Sequence, residues 1–177
     1  MTDGNTSADI LLHKIWRKGR FASFGYWAQG NKITIDIGEF GPDNKLTSAT
    51  KCYVDVKTFF TYIEAEHNSR VLNLYPKFDK EGFSVFGGSG QVARIFKSAY
   101  WQNKDGSPDT YSRVFKCGHF KGTPGPTGAV IADTTQVLSL SSIKISKEDI
   151  AQIYHSVHGL IMLRPNVILG GEIQPDV

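Results

Sequence analysis

The amino-acid sequence predicts an α+β fold built mainly from antiparallel strands, with one internal helix and a second helix near the C-terminus. Three observations carry this expectation. Lys32-Ile-Thr-Ile-Asp-Ile-Gly38 alternates polar and apolar side chains, the period of a half-buried strand. Ile150, Ile153, Val157, Leu160 and Ile161 recur at helical spacing behind Ser146-Lys-Glu-Asp149, a capping-box opening, and Pro165 closes the run. The remaining apolar runs are short, aromatic and bounded by glycine or turn residues, as hairpin strands are.

Taken in order, residues 1–9 are polar and Ile10 to Trp16 is mixed, so the first strand is expected at Arg20 to Trp27. Gln29-Gly30-Asn31 is a turn into the alternating strand, and Gly41-Pro-Asp-Asn44 ends that strand. A short strand over Cys52 to Val54 leads to a helix from Asp55, its cap, to about Glu66, with Phe59 and Ile63 buried. Strands are expected at Val71 to Tyr75 and Phe83 to Phe86, the latter followed by Gly87-Gly-Ser-Gly90. Two longer strands, 92–101 and 111–121, flank a hairpin loop at Asn103 to Pro108, and Ala129 to Ala132 adds one more. No internal repeat or long linker divides the chain, so a single domain over 1–177 is expected, with 1–9 and 165–177 as flexible termini.

The chain has 177 residues, 40% hydrophobic and 21% charged, a composition that suits a packed domain rather than a disordered polymer. Two cysteines, Cys52 and Cys117, cannot build a disulfide framework, and no Cys/His spacing suits zinc. No cofactor is expected. Without a signal-like apolar segment or a membrane-spanning run, a cytoplasmic protein is expected. The formal net charge is only +3, but it is unevenly placed: residues 91–121 carry six bases and two acids. The bases concentrate in Lys14 to Arg20 and in Arg94 to Lys121, which points to a localised positive face.

Those basic segments are interleaved with aromatic rings. They comprise Arg17, Lys18 and Arg20 with Trp27; Arg94, Phe96 and Lys97 with Tyr100 and Trp101; and Arg113, Phe115 and Lys116 with Phe120 and Lys121. In a strand, Arg94 and Phe96 share one face and Ile95 and Lys97 the other; likewise Arg113 and Phe115 oppose Val114 and Lys116. Rings and cations on one wet sheet face would stack bases and meet phosphates, as single-stranded nucleic acid requires. The competing reading puts the rings in the core. An arginine beside a buried ring then needs a carboxylate partner, because an unpaired buried charge is very costly.

Other candidate chemistry is weaker. Gly87 to Gly90 lacks the Lys-Ser/Thr ending of a P-loop and reads as a turn. Asp36, Glu39 and Asp55 form no acid/base dyad, and Cys117 with His119 lacks a third orienting group. His155 and His158 are three apart on the last helix, without a carboxylate to complete a metal site. No catalytic residue is assigned, and a non-enzymatic protein is expected.

The order of elements is similar to two known designs. Three strands, a helix and further strands resemble the oligonucleotide/oligosaccharide-binding barrel (OB-fold). Strands, helix, strands, helix resembles the whirly-type single-stranded DNA binders, in which a sheet-and-helix unit occurs twice. Both resemblances imply single-stranded DNA as partner, with RNA as a further one, for work in replication, recombination or transfer of a mobile element. The alternative is a β-rich structural or assembly protein, such as a virus-particle component, whose aromatics pack an oligomer interface. A carbohydrate-binding module is a third reading, though sugar stacking does not call for arginine on the aromatic face.

Overall fold

The computed structural model describes residues 10–71 and 83–169. Strands β1 (Ile10–Arg17), β2 (Arg20–Trp27), β3 (Lys32–Phe40) and β4 (Leu46–Asp55) precede helix α1 (Val56–Val71). Strands β5 (Phe83–Ser89), β6 (Val92–Gln102), β7 (Pro108–Pro124) and β8 (Val130–Ile145) precede α2 (Lys147–Leu163) and the single turn α3 (Asn166–Leu169). Each set of four forms its own antiparallel sheet in sequential order, β1-β2-β3-β4 (sheet A) and β5-β6-β7-β8 (sheet B). A sheet followed by a helix thus occurs twice, as the whirly resemblance implied. The barrel alternative does not hold: neither set of strands closes on the other, and the internal helix follows the fourth strand rather than the third.

The period-two pattern of β3 works as expected: Ile33, Ile35 and Ile37 are buried on the inner face of sheet A, beside Phe24 of β2 and Cys52 and Val54 of β4. The inner face of sheet B contributes Phe96, Phe115, Cys117, Ile143 and Ile145 to the same core. Helix α1 joins the two sheets. Its Phe59 lies 6.2 Å from the Phe24 ring and 6.4 Å from the Phe96 ring, within the range of favourable aromatic pairing. Helix α2 begins with the expected capping box, in which Ser146 Oγ accepts from the Asp149 N–H and the Asp149 carboxylate accepts from the Ser146 N–H. It buries Ile150, Ile153, Val157 and Leu160.

Polar contacts lock the sheets together along β3 and β4. Thr50 Oγ1 bonds Ser141 Oγ at 3.0 Å, the Cys52 thiol donates to the Ile95 carbonyl, and the Cys117 thiol donates to that of Ile35. Burial pushes the Cys117 thiol well up, so it stays a neutral donor. His119 Nε2 donates to the Lys51 carbonyl at 2.6 Å.

Several element boundaries differ from expectation. Residues 10–17 form β1, because pairing with β2 overrides their mixed pattern. Strand β4 starts at Leu46 instead of Cys52, and β8 runs for 16 residues rather than over Ala129 to Ala132. Both extensions are rich in serine and threonine and pair along most of their length with a neighbouring strand. Val71 ends α1 instead of opening a strand; the rest of that expected strand, 72–75, lies outside the described residues. Asp55 stands just before α1, where its carboxylate pairs with Lys32 across β3 and β4.

Candidate nucleic-acid interface

The residues singled out from sequence separate into a buried group, a paired group and two open groups. Phe96 and Phe115 are sealed in the core with their rings 5.2 Å apart, edge to face. Arg113, only 3% exposed, is buried with them. Its Nε lies 2.9 Å from Oε2 of Glu66 on α1, close enough to pair the charges although the N–H is not aligned on that oxygen as a hydrogen bond. The Tyr100 ring covers the guanidinium from the other side, 3.9 Å away. The expectation that Arg113, Phe96 and Phe115 face a strand of nucleic acid is therefore corrected. They share a face, but it is the inner one, and Glu66 supplies the carboxylate that a buried arginine requires.

A second group is exposed but engaged. Arg17 pairs with Asp149, the carboxylate that also caps α2, and Arg20 reaches Glu39 at 3.2 Å and the Ser142 carbonyl at 3.1 Å. Lys18 is exposed at the β1–β2 turn beside Gly19, whose φ is +70°. These three bases stand at the opposite end of β2 from Trp27, about 24 Å away at roughly 3.4 Å per residue. Arg17 and Arg20 brace the hairpin against α2 and β8. Trp101 lies under the Lys144 ammonium at 4.9 Å, and Lys121 faces Asp133 across β7 and β8.

The first open group forms a groove of about 500 Å³ between the outer face of sheet A and the β5–β6 hairpin. Its volume lies in the range of small-ligand sites. Trp27, the last residue of β2, and Tyr53 of β4 form the aromatic wall, their ring centres 5.7 Å apart. Trp27 is placed by the turn that follows it. Asn31 has φ of +49° and donates its N–H to the Ala28 carbonyl, which brings Gly30 beneath the indole. A Cβ on Gly30 would fall 2.2 Å from a ring carbon of Trp27, so only glycine lets the indole lie there.

Arg94 reaches the groove from β6, its guanidinium carbon 5.8 Å from the Tyr53 ring centre. That distance is within cation–π range. Arg94 is half-buried and, unlike Arg113, has no carboxylate partner among the described residues. Lys32 and Asp55 neutralise one another at the rim, leaving the guanidinium as the net charge of the groove. The opposite wall is Phe86, Gly87, Gly88 and Ser89; a Cβ added to Gly87 would meet nothing within 4 Å, so its backbone faces open space. Sequence reading placed Trp27 and Arg94 in the site but missed Tyr53, which meets them only through the fold.

The second open group lies on the outer face of sheet B. Lys97 and Lys116 are register partners on β6 and β7, both exposed, and neither has an ion pair among the described residues. Beside them Ile95, Gly118, Phe120, Thr134 and Leu140 line a depression of about 230 Å³. Among the described residues no cluster of His, Cys, Asp or Glu suits a metal ion, and no helix is long and apolar enough to cross a membrane.

No protein-family model matches the chain, and a sequence comparison with curated proteins finds no match. Solved structures do match. The plant transcriptional regulator PBF-2 aligns with a TM-score of 0.51 at 11% identity, over 93% of this chain and 85% of that one. WHY1 from Arabidopsis thaliana aligns at 0.51 and 10% identity, over 97% and 98% of the two chains. The fold resembles that of the Whirly proteins. WHY3 from the same plant aligns at 0.49 and 13% identity, over 84% and 85%. At such identities the Whirly likeness covers the path of the chain and not the side chains of the groove.

Proposed function

We propose that this protein binds single-stranded nucleic acid, in the first place DNA, largely without regard to base sequence and without enzymatic chemistry. One observation carries the reading: an arginine with no carboxylate partner among the described residues stands over Tyr53, beside Trp27, in an open groove. Flat bases stack on the two rings while the guanidinium meets a phosphate. Each base stacked on a ring contributes about 1–3 kcal/mol, and any base presents a π-face, which accounts for the sequence tolerance. The likeness to a transcriptional regulator adds support, since regulating transcription is work done on nucleic acid. RNA offers the same bases and phosphates. Replication, recombination and transfer of a mobile element are settings this activity suits.

The test is titration of the protein into a labelled oligo(dT) and into a duplex of equal length, by fluorescence anisotropy over a salt series. The expected outcome is preference for the single strand, with affinity falling steadily as salt rises. Absence of binding at low salt would refute the reading.

A second reading, an assembly protein with aromatics at an interface between subunits, is favoured by a different surface. On the outer face of sheet A, Trp16, Phe21 and Phe40 pack within 6.0 Å of one another, and Trp16 remains 57% exposed. Sedimentation of the wild type and Trp16→Ala distinguishes the two. A concentration-dependent oligomer abolished by the substitution, in a protein that ignores oligonucleotides, supports the second.

A further inference from the structure

We propose that a bound strand continues from the groove across edge strand β5 onto the outer face of sheet B, where Lys97 and Lys116 hold backbone phosphates and Phe86 and Phe120 carry bases. The proposal rests on the nucleic-acid reading of the groove and extends it from a pocket to a path. Its starting point is an electrostatic cost. Like charges directly opposite one another on neighbouring strands destabilise a sheet, whereas opposite charges stabilise it. Here the flanking register positions are Ser84 on β5 and Ser142 on β8, so the whole row is Ser-Lys-Lys-Ser across the sheet. A bound polyanion removes the repulsion, and its hydroxyl neighbours are suited to phosphate oxygens.

The adjacent row explains why the anion is a nucleic acid rather than a free phosphate. It consists of Phe86, Ile95, Gly118 and Leu140, with Phe86 66% and Leu140 53% exposed. Phe120 folds back over Gly118, where a Cβ would stand 2.6 Å from its ring, so that glycine holds the ring flat on the sheet. A cationic row and a flat apolar surface therefore lie side by side on one face of the sheet. That juxtaposition matches a strand with phosphates along one side and bases along the other.

Phe86 connects the two places. It lines the groove, and it is the register partner of Ile95, which lines the outer depression. Strand spacing and rise put Phe86 about 12 Å from Lys116. Three or four stacked nucleotides at about 3.4 Å each span that distance. Edge strand β5 presents no obstacle beyond Phe86, because the residues that follow are Gly87 and Gly88.

The experiment compares oligo(dT) of about four and about fifteen nucleotides on the wild type and on the double variant Lys97→Gln/Lys116→Gln, at several salt concentrations. Both lysines are exposed, and a melting curve establishes that the variant is folded. The expected result is unchanged affinity for the short oligonucleotide, a loss of roughly tenfold or more for the long one, and a salt slope for the long one lower by about 1.4. Unchanged affinity and slope for the long oligonucleotide would overturn the path while leaving the groove intact. Equal losses at both lengths would overturn it too, since the lysines would then act on the groove itself. If neither oligonucleotide binds the wild type at low salt, the groove reading fails first.

Discussion

The guanidinium of Arg94 stands 5.8 Å from the centre of the Tyr53 ring, a cation from sheet B set over a ring from sheet A. The contact depends on the seam that fixes the sheets: Cys52, next to Tyr53, donates to the carbonyl of Ile95, next to Arg94. Substitutions at this pair should therefore separate stacking from charge. Tyr53→Ala is expected to weaken oligonucleotide binding by about 1–3 kcal/mol with little change in salt dependence. Arg94→Gln should lower the slope of log K against log salt by about 0.7, the contribution of one single-strand phosphate. Anisotropy titrations over a salt series measure both.

The core members of the basic and aromatic segments should behave in the opposite way. Phe115→Ala opens a cavity among fully buried rings and is expected to cost about 3–5 kcal/mol of stability. Arg113→Met leaves the Glu66 carboxylate facing an apolar neighbour and should cost a similar 3–5 kcal/mol, with Arg113→Met/Glu66→Gln recovering much of it. Urea unfolding measures these losses. The affinity of the folded fraction for oligonucleotide should not change.

Gly30 offers a test at a distance of one side chain. A methyl group there collides with the indole of Trp27, which must leave its place against Tyr53. Gly30→Ala is expected to reduce binding by an amount close to that of Trp27→Ala. Equal affinities for Gly30→Ala and the wild type would show that the ring position does not matter.

Acid should destabilise the fold through two histidines. Burial holds His67 below its usual value of 6.5, and the nearby His155 pushes it further down. Burial also lowers His13, against an opposing pull from Asp149. The native state thus binds fewer protons than the unfolded chain, so this stability is present above about pH 6.5 and is lost as pH falls toward and through the lowered values. His67→Gln should flatten the fall in melting temperature between about pH 7 and pH 5.

Much of the fold was legible because its signals are local. The alternation of β3, the capping box at Ser146 and the turn at Gly30 each act over a few residues; of the turn expected over Gly87 to Gly90, only Gly90 lies beyond β5, because the three residues before it pair with β6. Strand β8 was not legible beyond its start, since Thr134 to Ser142 is mostly Ser, Thr and Gln without a sustained period-two apolar face, and gains its extended form by pairing with β7. The interface was half legible for a related reason. That Arg94 shares a face with Phe96, and Arg113 with Phe115, follows from strand periodicity alone. Whether such a face is wet depends on a partner from elsewhere: Glu66, 47 positions away, closes over Arg113, whereas Tyr53 leaves Arg94 open to the groove. Gly118 and Gly30 likewise act by what they lack, and that becomes visible only when a ring lies across them.

The most direct test of the groove uses its own tryptophan. The chain has three, and Trp16→Phe with Trp101→Phe leaves Trp27 as the sole emitter. Stacking of bases on the indole predicts saturable quenching of Trp27 fluorescence by oligo(dT), with a midpoint equal to that from anisotropy and moving with it as salt rises. Full binding by anisotropy with unchanged Trp27 emission would contradict the account.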